Sequence, residues 1–245
     1  MDDATTRKDS GGRSCKIVVN SPRHSLVVRL THWVNTVSFF ALVLSGAAIL
    51  LAYPRLHWGE TGTVGTPAFI DLPFPFVLEL GIRGPGRYLH FLAAWVTLFT
   101  GLVYAISGLC TQHFSKDLLP RKSDLNFNTF RMVLAEHLRL KRPSEEESQS
   151  YNLFQRLAYL AVVFGLYPFM FLTGLAMSPA VTSVFPFLVQ MFGGFQSART
   201  LHFFGANFLV LFLLIHVVVV ILGGFYRRCR AMITGIPLAE KRSHE

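Results

Sequence analysis

Four segments of the chain are apolar over about twenty residues each and are nearly free of charge. They cover about 32–52, 88–109, 153–176 and 200–224. An α-helix needs ~20 apolar residues to cross ~30 Å of hydrocarbon. The composition, 51% hydrophobic and 15% charged, also fits a membrane protein. The sequence therefore predicts an all-α integral membrane protein, a bundle of four transmembrane helices in one domain, 32–224, between a basic N-terminal segment, 1–31, and a tail, 225–245.

Basic residues are distributed unequally between the two sides of this bundle. Nineteen of the 23 Lys and Arg fall on the side of the termini, and four fall on the opposite side: Arg55, Arg83, Arg87 and Arg199. The positive-inside rule then predicts that both termini and the loop 111–150 are cytoplasmic. The net charge of +9 reflects this topology and contact with anionic lipid, so no nucleic-acid partner is expected.

Two histidines of the last apolar segment, His202 and His216, are fourteen residues apart. On a helix that spacing returns to nearly the same face ~21 Å further along. With alternating helix directions, His32 lies at the depth of His216 on the cytoplasmic side, and His90 at the depth of His202 on the outer side. Intramembrane histidines usually face the bundle interior with a partner. The pattern predicts two haem groups, each with a pair of axial histidines. The alternatives are one haem or none.

An arginine precedes three of these histidines by three residues: Arg29, Arg87 and Arg199. A residue at that spacing lies on the same helix face, one turn nearer the aqueous boundary. Each guanidinium could bind a haem propionate there. The alternative is that arginines flank membrane helices to meet lipid headgroups.

The remaining histidines and the cysteines are not expected to bind metal. The histidines concerned are His57, His113, His137 and His244, and His57 is expected at the interface beside Trp58. The cysteines, Cys15, Cys110 and Cys229, are too few and too scattered for a cluster.

The connections between the helices differ in kind. The outer segments 53–87, which contains PRLHWGETG, and 177–198 are apolar and rich in Gly and Pro. They could dock another protein or rest on lipid headgroups. The cytoplasmic loop 111–150 is charged, and its amphipathic run NTFRMVLAEHLRL predicts a surface helix.

Several motifs resemble the membrane-anchoring di-haem cytochrome b family, the cytochrome subunits of formate dehydrogenase, thiosulfate reductase and nickel-iron hydrogenase. The resemblance runs from about 23 to 230. It rests on the His202/His216 pair together with RLTHW at 29–33, GRYLHF at 86–91, YNLFQR at 151–156 and TGLAMSP at 173–179.

The resemblance implies two haem b groups, the inner one on His32 and His216 and the outer one on His90 and His202, in a bacterial inner membrane. It also implies that Asn152 and Gln155 hydrogen-bond a quinone near the inner haem, although Asn152 could instead cap a helix.

PRLHWGETG and TGLAMSP look most like the thiosulfate-reductase branch, which implies an outer-face, molybdenum-containing oxidoreductase as partner. Two alternatives remain for the function. One is a stand-alone cytochrome that oxidises a small donor such as superoxide and reduces quinone. The other is a haem-free membrane anchor.

Overall fold

The computed structural model describes residues 7–8, 14–15, 25–62, 65–72, 83–111 and 153–236. Several predictions concern residues outside these ranges. They are the surface helix within 111–150, the amide of Asn152, and the histidines His113, His137 and His244.

Helices account for most of the described chain. Their bounds are α1 Leu26–Ala52, α2 Arg83–Cys110, α3 Leu153–Leu160 continued by a π-helical turn Ala161–Leu166 and by Tyr167–Ala176, α4 Pro179–Thr182, α5 Phe187–Met191, α6 Phe195–Leu222 and α7 Phe225–Thr234. Two small antiparallel pairs of strands accompany them, β1 Arg7–Lys8 with β2 Ser14–Cys15 and β3 Arg55–Leu56 with β4 Ile70–Asp71. Four helices, α1, α2, α3 and α6, are long and apolar enough to cross a membrane. The chain is an all-α integral membrane bundle, as predicted.

Three of the spanning helices, α1, α2 and α6, begin before the predicted apolar segments do. Helix α1 begins at Leu26 because the Ser25 hydroxyl accepts a hydrogen bond from the backbone N–H of Val28, at 3.3 Å. Hydropathy marks only the lipid-buried part of a helix, whereas backbone hydrogen bonding continues until a cap. Helix α6 ends earlier than predicted, at Leu222, because Gly224 has a φ of 91°.

Helix α3 contains a π-helical turn just before Pro168. Proline lacks an N–H and clashes with the carbonyl four residues earlier. The preceding residue, Tyr167, bonds through its N–H to the carbonyl of Val162, five residues back. This turn changes the direction of the Tyr167 side chain, whose hydroxyl donates to the carbonyl of Thr97 on α2. The hydrogen bond ties α3 to α2 in the middle of the bundle.

The spanning helices pack as two antiparallel pairs, α1 along α2 and α3 along α6. Small hydroxyl side chains face α2 from α1: its three buried residues are Thr31, Ser38 and Ser45. In the other pair, a Cβ on Gly205 would lie 2.6 Å from the Met170 sulfur, so glycine permits the close approach of α3 and α6. Within the described residues, contact between the two pairs is sparser than contact inside them.

Segment 53–62, which the sequence predicts on the outer side, folds over the N-terminus of α6 and supplies its cap. The Gly59 carbonyl accepts hydrogen bonds from the backbone N–H groups of Gln196 and Ser197, at 3.0 and 3.3 Å. The Glu60 carboxylate accepts one from Phe195, at 3.4 Å. These are N–H groups that a helix start leaves without intrahelical partners. The PRLHWGETG segment was predicted to dock another protein or to rest on lipid headgroups. In the structure it also holds the helix that carries His202 and His216.

The second outer segment completes this cap. Ala176, Leu188 and Ala198 form a small buried cluster where α3, α5 and α6 meet. At the start of α6, Gly194 has a φ of 115°, and a Cβ there would lie 2.4 Å from the Gly59 carbonyl. Only glycine fits that position. The C-terminal end of α3 and the N-terminal end of α6 are thus closed by the chain's own segments.

Candidate haem sites

The outer pair of histidines comes together as predicted. His90 on α2 and His202 on α6 have ring centroids 6.3 Å apart, with an interplanar angle of 64°. The two residues belong to different helix pairs, so their rings face each other across the space between the pairs.

The inner pair repeats this arrangement at the other end of the bundle. His32 on α1 and His216 on α6 have ring centroids 6.4 Å apart, with an interplanar angle of 50°. The fourteen residues between His202 and His216 place the two sites ~21 Å apart along α6.

Both separations fit one iron held between two imidazoles. A ring nitrogen binds a first-row metal at about 2.0–2.1 Å, and the ring centroid lies roughly 1.1 Å behind it, so the two centroids should be about 6.3 Å apart. Two histidines are a recognised axial set for haem in cytochromes of the b type. The donor chemistry and spacing of each pair therefore fit a bis-histidine haem.

A hydroxyl orients each histidine of the outer pair. The Ser45 Oγ lies 3.0 Å from Nδ1 of His90, and the Thr173 Oγ1 lies 2.9 Å from Nδ1 of His202. The sequence alone does not identify these two hydroxyl groups as partners of the histidines. Short hydroxyl side chains are common on membrane helices, so neither residue carries a distinguishing sequence signal.

The direction of these hydrogen bonds follows from the other partner of each hydroxyl. Ser45 lies 2.6 Å from the Ala41 carbonyl, and Thr173 lies 2.9 Å from the Phe169 carbonyl. A hydroxyl has one proton. If it donates that proton to the carbonyl, it must accept from the Nδ1–H of the histidine. The tautomer assigned in this way leaves Nε2 as the ligating atom.

Aromatic rings surround the inner pair. Trp33 meets His32 edge-on with centroids 5.3 Å apart, while Phe212 stacks on His216 at 6.0 Å. Tyr159 of α3 also contacts the His216 ring, at 6.5 Å. Large aromatic rings therefore contact the inner pair, whereas hydroxyl groups contact the outer pair.

The three arginines predicted at haem propionates have different surroundings. Arg29 donates to the Ile233 carbonyl of α7 at 2.7 Å. Arg199 donates to the carbonyls of Arg55 and Tyr53, and its guanidinium lies 4.8 Å from the centre of the Tyr53 ring. Arg87 is exposed near the outer end of α2. Arg29 and Arg199 thus already bind backbone carbonyls, and the propionate roles of all three stay predictions.

The predicted quinone residues lie at the start of α3. Asn152 is outside the described residues, and Gln155 lies in the first turn of the helix. Gln155 is four residues before Tyr159 in the same helix, and Tyr159 contacts His216. The quinone role of both residues stays a prediction.

His57 differs from the sequence expectation of an interfacial residue. Its side chain is only 3% exposed, whereas the neighbouring Trp58 is 47% exposed. The His57 ring stacks against Tyr53 with centroids 6.2 Å apart. No sequence signal predicted this burial, because it depends on how segment 53–62 folds over α6.

Four apolar spanning helices with two facing imidazole pairs define a membrane cytochrome of the b type. The family model for prokaryotic cytochrome b561 matches residues 23–235. The chain is also 32% identical over 200 residues to a putative protein-methionine-sulfoxide reductase subunit, YedZ1, of Azospira oryzae (strain ATCC BAA-33 / DSM 13638 / PS). That alignment covers 81% of this chain and 90% of the relative. No solved structure matches significantly.

The chain belongs to the prokaryotic cytochrome b561 family. It is a membrane-embedded haem b electron-transfer subunit of an oxidoreductase. The predicted resemblance to membrane cytochromes b is confirmed at this level.

Proposed function

We propose that the chain binds two haem b groups, the inner one through His32 and His216 and the outer one through His90 and His202. The observation that carries this proposal is the pair of centroid separations, 6.4 and 6.3 Å, each of which fits one iron. Haem bound at two depths supplies reversible one-electron transfer across the membrane. The chain's own residues hold the ring orientations and exclude water from between the helices.

The electron donor or acceptor on the cytoplasmic side is a membrane quinone. Asn152 and Gln155 are proposed to hydrogen-bond the quinone oxygens near the inner pair. The contact of Tyr159 with His216 supports this placement, since Tyr159 lies one turn beyond Gln155. The excess of Lys and Arg on the side of the termini supports a bacterial inner-membrane location with both termini cytoplasmic.

The partner on the outer face is an oxidoreductase subunit, expected to contain molybdenum. The YedZ1 relative is named as a subunit of a protein-methionine-sulfoxide reductase. We propose that the partner of the present chain acts on the same substrate class, methionine sulfoxide in proteins. Reduction of a sulfoxide consumes two electrons and two protons and yields a thioether and water. Oxidation of one quinol supplies both electrons and releases two protons, so the proposed flow is from quinol outward.

The exposed outer surface supports a docked partner. Trp58, Phe69, Phe185, Phe187 and Met191 are all more than a third exposed on the outer segments. A stand-alone protein that oxidises superoxide is the alternative, and purified protein that reduces quinone from superoxide without a second subunit would favour it. A haem-free anchor is disfavoured by membership of a cytochrome family.

Haem content per chain of the detergent-purified protein tests the ligand assignment. We expect two haem b groups in the wild type. His90→Ala and His202→Ala should lose the same haem, and His32→Ala and His216→Ala should lose the other. Phe91→Ala, a change of a 46% exposed neighbour of His90, is the matched control. Two variants of one pair that lose spectrally different haems would contradict the pairing.

Quinol oxidation by membranes that contain the chain and its partner tests the function itself. Sulfoxide should reoxidise both haems after quinol reduces them. Asn152→Ala and Gln155→Ala should slow the quinol-dependent reduction without removing haem. Rapid haem reduction by superoxide, with none by quinol, would support the stand-alone alternative.

A further inference from the structure

The Tyr167 side chain reaches from one helix pair to the other inside the bundle. Its hydroxyl donates to the Thr97 carbonyl, so a hydrogen bond joins α3 to α2. A Cβ on Gly101 of α2 would lie 2.7 Å from Cε1 and 2.9 Å from Cζ of the phenol ring. Because Gly101 has no Cβ, the ring packs directly against the α2 backbone. The phenol thus fills the space between α3 and α2 at this point.

Both ends of this hydrogen bond lie in line with the outer pair of histidines. On α2, Thr97 follows His90 by seven residues. On α3, Gly174 follows Tyr167 by the same number, and a Cβ on Gly174 would lie 3.6 Å from Cε1 of His202. Seven residues are close to two helical turns and return to nearly the same face ~10.5 Å along the axis. Thr97 and Tyr167 therefore face the space that holds the outer pair, two turns deeper in the bundle.

The depth of the hydrogen bond is about midway between the two pairs of histidines. The pairs are ~21 Å apart along α6, so the ~10.5 Å step from His90 covers half of that distance. Helix α3 gives the same depth. Tyr167 lies eight residues after Tyr159, which contacts the inner pair, and six before Thr173, which contacts the outer pair. The hydrogen bond therefore crosses the bundle between the two proposed haem sites.

The π-helical turn Ala161–Leu166 sets the direction of the Tyr167 ring. A π turn holds one more residue than an α turn, and π turns inside α-helices are frequent at functional sites. Eight residues of regular α-helix would rotate Tyr167 by ~80° from Tyr159. Because the π turn takes up one extra residue, both rings lie on nearly one face of α3. That face runs from the inner pair, through Tyr167, to Gly174 beside the outer pair.

Electronic coupling between two redox centres falls steeply with distance, and it falls faster across an empty gap than through packed and hydrogen-bonded atoms. We propose that Tyr167 is the bridging residue for electron transfer between the two haems, because its ring and its hydrogen bond to Thr97 supply packed atoms midway between them. The inference rests on the proposed function, with haem at both pairs of histidines. In this step one electron leaves one haem and arrives at the other, and Tyr167 is neither oxidised nor deprotonated.

Flash reduction of the purified two-haem protein by a water-soluble photoreductant tests this proposal. The α absorption bands of the haems report how fast an electron redistributes between them, and the variants His90→Ala and His32→Ala assign each band. In Tyr167→Leu, which lacks both the ring and the hydroxyl, we expect redistribution to be several-fold slower than in the wild type. Tyr167→Phe keeps the ring but loses the hydrogen bond, and its rate should lie between the two.

Haem content, the two midpoint potentials and the electron paramagnetic resonance g values of both ferric haems are measured on the same samples. A residue that only holds the ligands in place would change these quantities, whereas a bridging residue changes the rate alone. We therefore expect all of them to stay at wild-type values in Tyr167→Phe. Thr100→Val is the matched control, because it removes a hydroxyl of α2 that donates to the Val96 carbonyl of its own helix. It should keep the wild-type rate.

A wild-type rate in either Tyr167 variant would overturn the proposal, so the conservative Tyr167→Phe decides the question even where Tyr167→Leu fails to fold. Slower transfer that comes with shifted midpoint potentials or g values would also overturn it, as would equal slowing in Thr100→Val. Wild-type protein with fewer than two haems would instead refute the proposed function, so the two failures are distinguishable.

Discussion

The Ser45 hydroxyl on α1 lies 3.0 Å from Nδ1 of His90 on α2. Thr173 on α3 makes the equivalent contact with His202 on α6, at 2.9 Å. In each case the hydroxyl belongs to the helix that packs against the histidine's own helix. The packing inside each helix pair therefore fixes the ring orientation of His90 and of His202, and both Nε2 atoms are left for the space between the pairs.

Removal of either hydroxyl should affect the outer haem alone. Ser45→Ala and Thr173→Val leave the Nδ1–H without its acceptor, which lowers the basicity of the ligand and destabilises the ferric state. We expect the outer-haem potential to rise and its haem affinity to fall by about tenfold. Redox titration of the purified variants measures both effects.

Ser38→Ala is the control for this prediction, because Ser38 is also buried on α1, at 7% exposed. It should leave both potentials unchanged. A shift of the inner-haem potential in Ser45→Ala would show that the hydroxyl acts through the whole bundle rather than through His90.

The number of spanning helices could be predicted from sequence because lipid imposes a simple length and polarity rule. The meeting of His90 with His202 followed from the same rule, since helix direction and depth fix which residues share a level. The structure brings these rings to 6.3 Å and so confirms that they are neighbours. Their role as haem ligands stays a prediction.

The features that sequence reasoning missed depend on folded loops and on local packing. The contact of Gly59 with the start of α6 joins residues more than 130 positions apart. The hydrophobic periodicity of the sequence does not predict a contact over such a distance along the chain. The burial of His57 has the same origin, and so does the choice of Ser45 and Thr173 among many small hydroxyl residues.

Gly194→Ala should destabilise the outer end of the bundle. The new Cβ would lie 2.4 Å from the Gly59 carbonyl, and the residue would have to adopt a φ of 115°. We expect a loss of about 1–3 kcal/mol, because strain at such a φ is added to a disturbed helix cap. Thermal unfolding in detergent measures it. Gly165→Ala, with nothing within 4 Å of the new Cβ, should not lower stability.

Tyr167→Phe should loosen the connection between the helix pairs. The hydroxyl donates to the Thr97 carbonyl of α2 from the middle of α3, and its loss removes about 0.5–1.5 kcal/mol of stability. Unfolding monitored by haem absorbance measures this change. Tyr88→Phe removes a hydroxyl from a side chain that is 78% exposed and should be neutral. Equal stability of Tyr167→Phe and the wild type would show that this hydrogen bond contributes nothing net.

Truncation after Gly224 should weaken the inner haem selectively. Helix α7 accepts hydrogen bonds from α1 at two carbonyls, from Arg29 to Ile233 at 2.7 Å and from the Trp33 indole to Met232 at 3.4 Å. Trp33 in turn packs edge-on against His32. Without α7 the Trp33 ring loses its anchor, and each lost hydrogen bond costs about 0.5–1.5 kcal/mol.

We expect the truncated protein to lose inner haem during purification and to keep the outer haem, measured as haem per chain and by the two redox midpoints. Truncation after Ile236 keeps α7 and is the control; it should retain both haems. Ser45 and Thr173 hydrogen-bond His90 and His202 without any contribution from α7. Equal loss of both haems after the first truncation would therefore show that the inner and outer sites fold as one unit rather than independently.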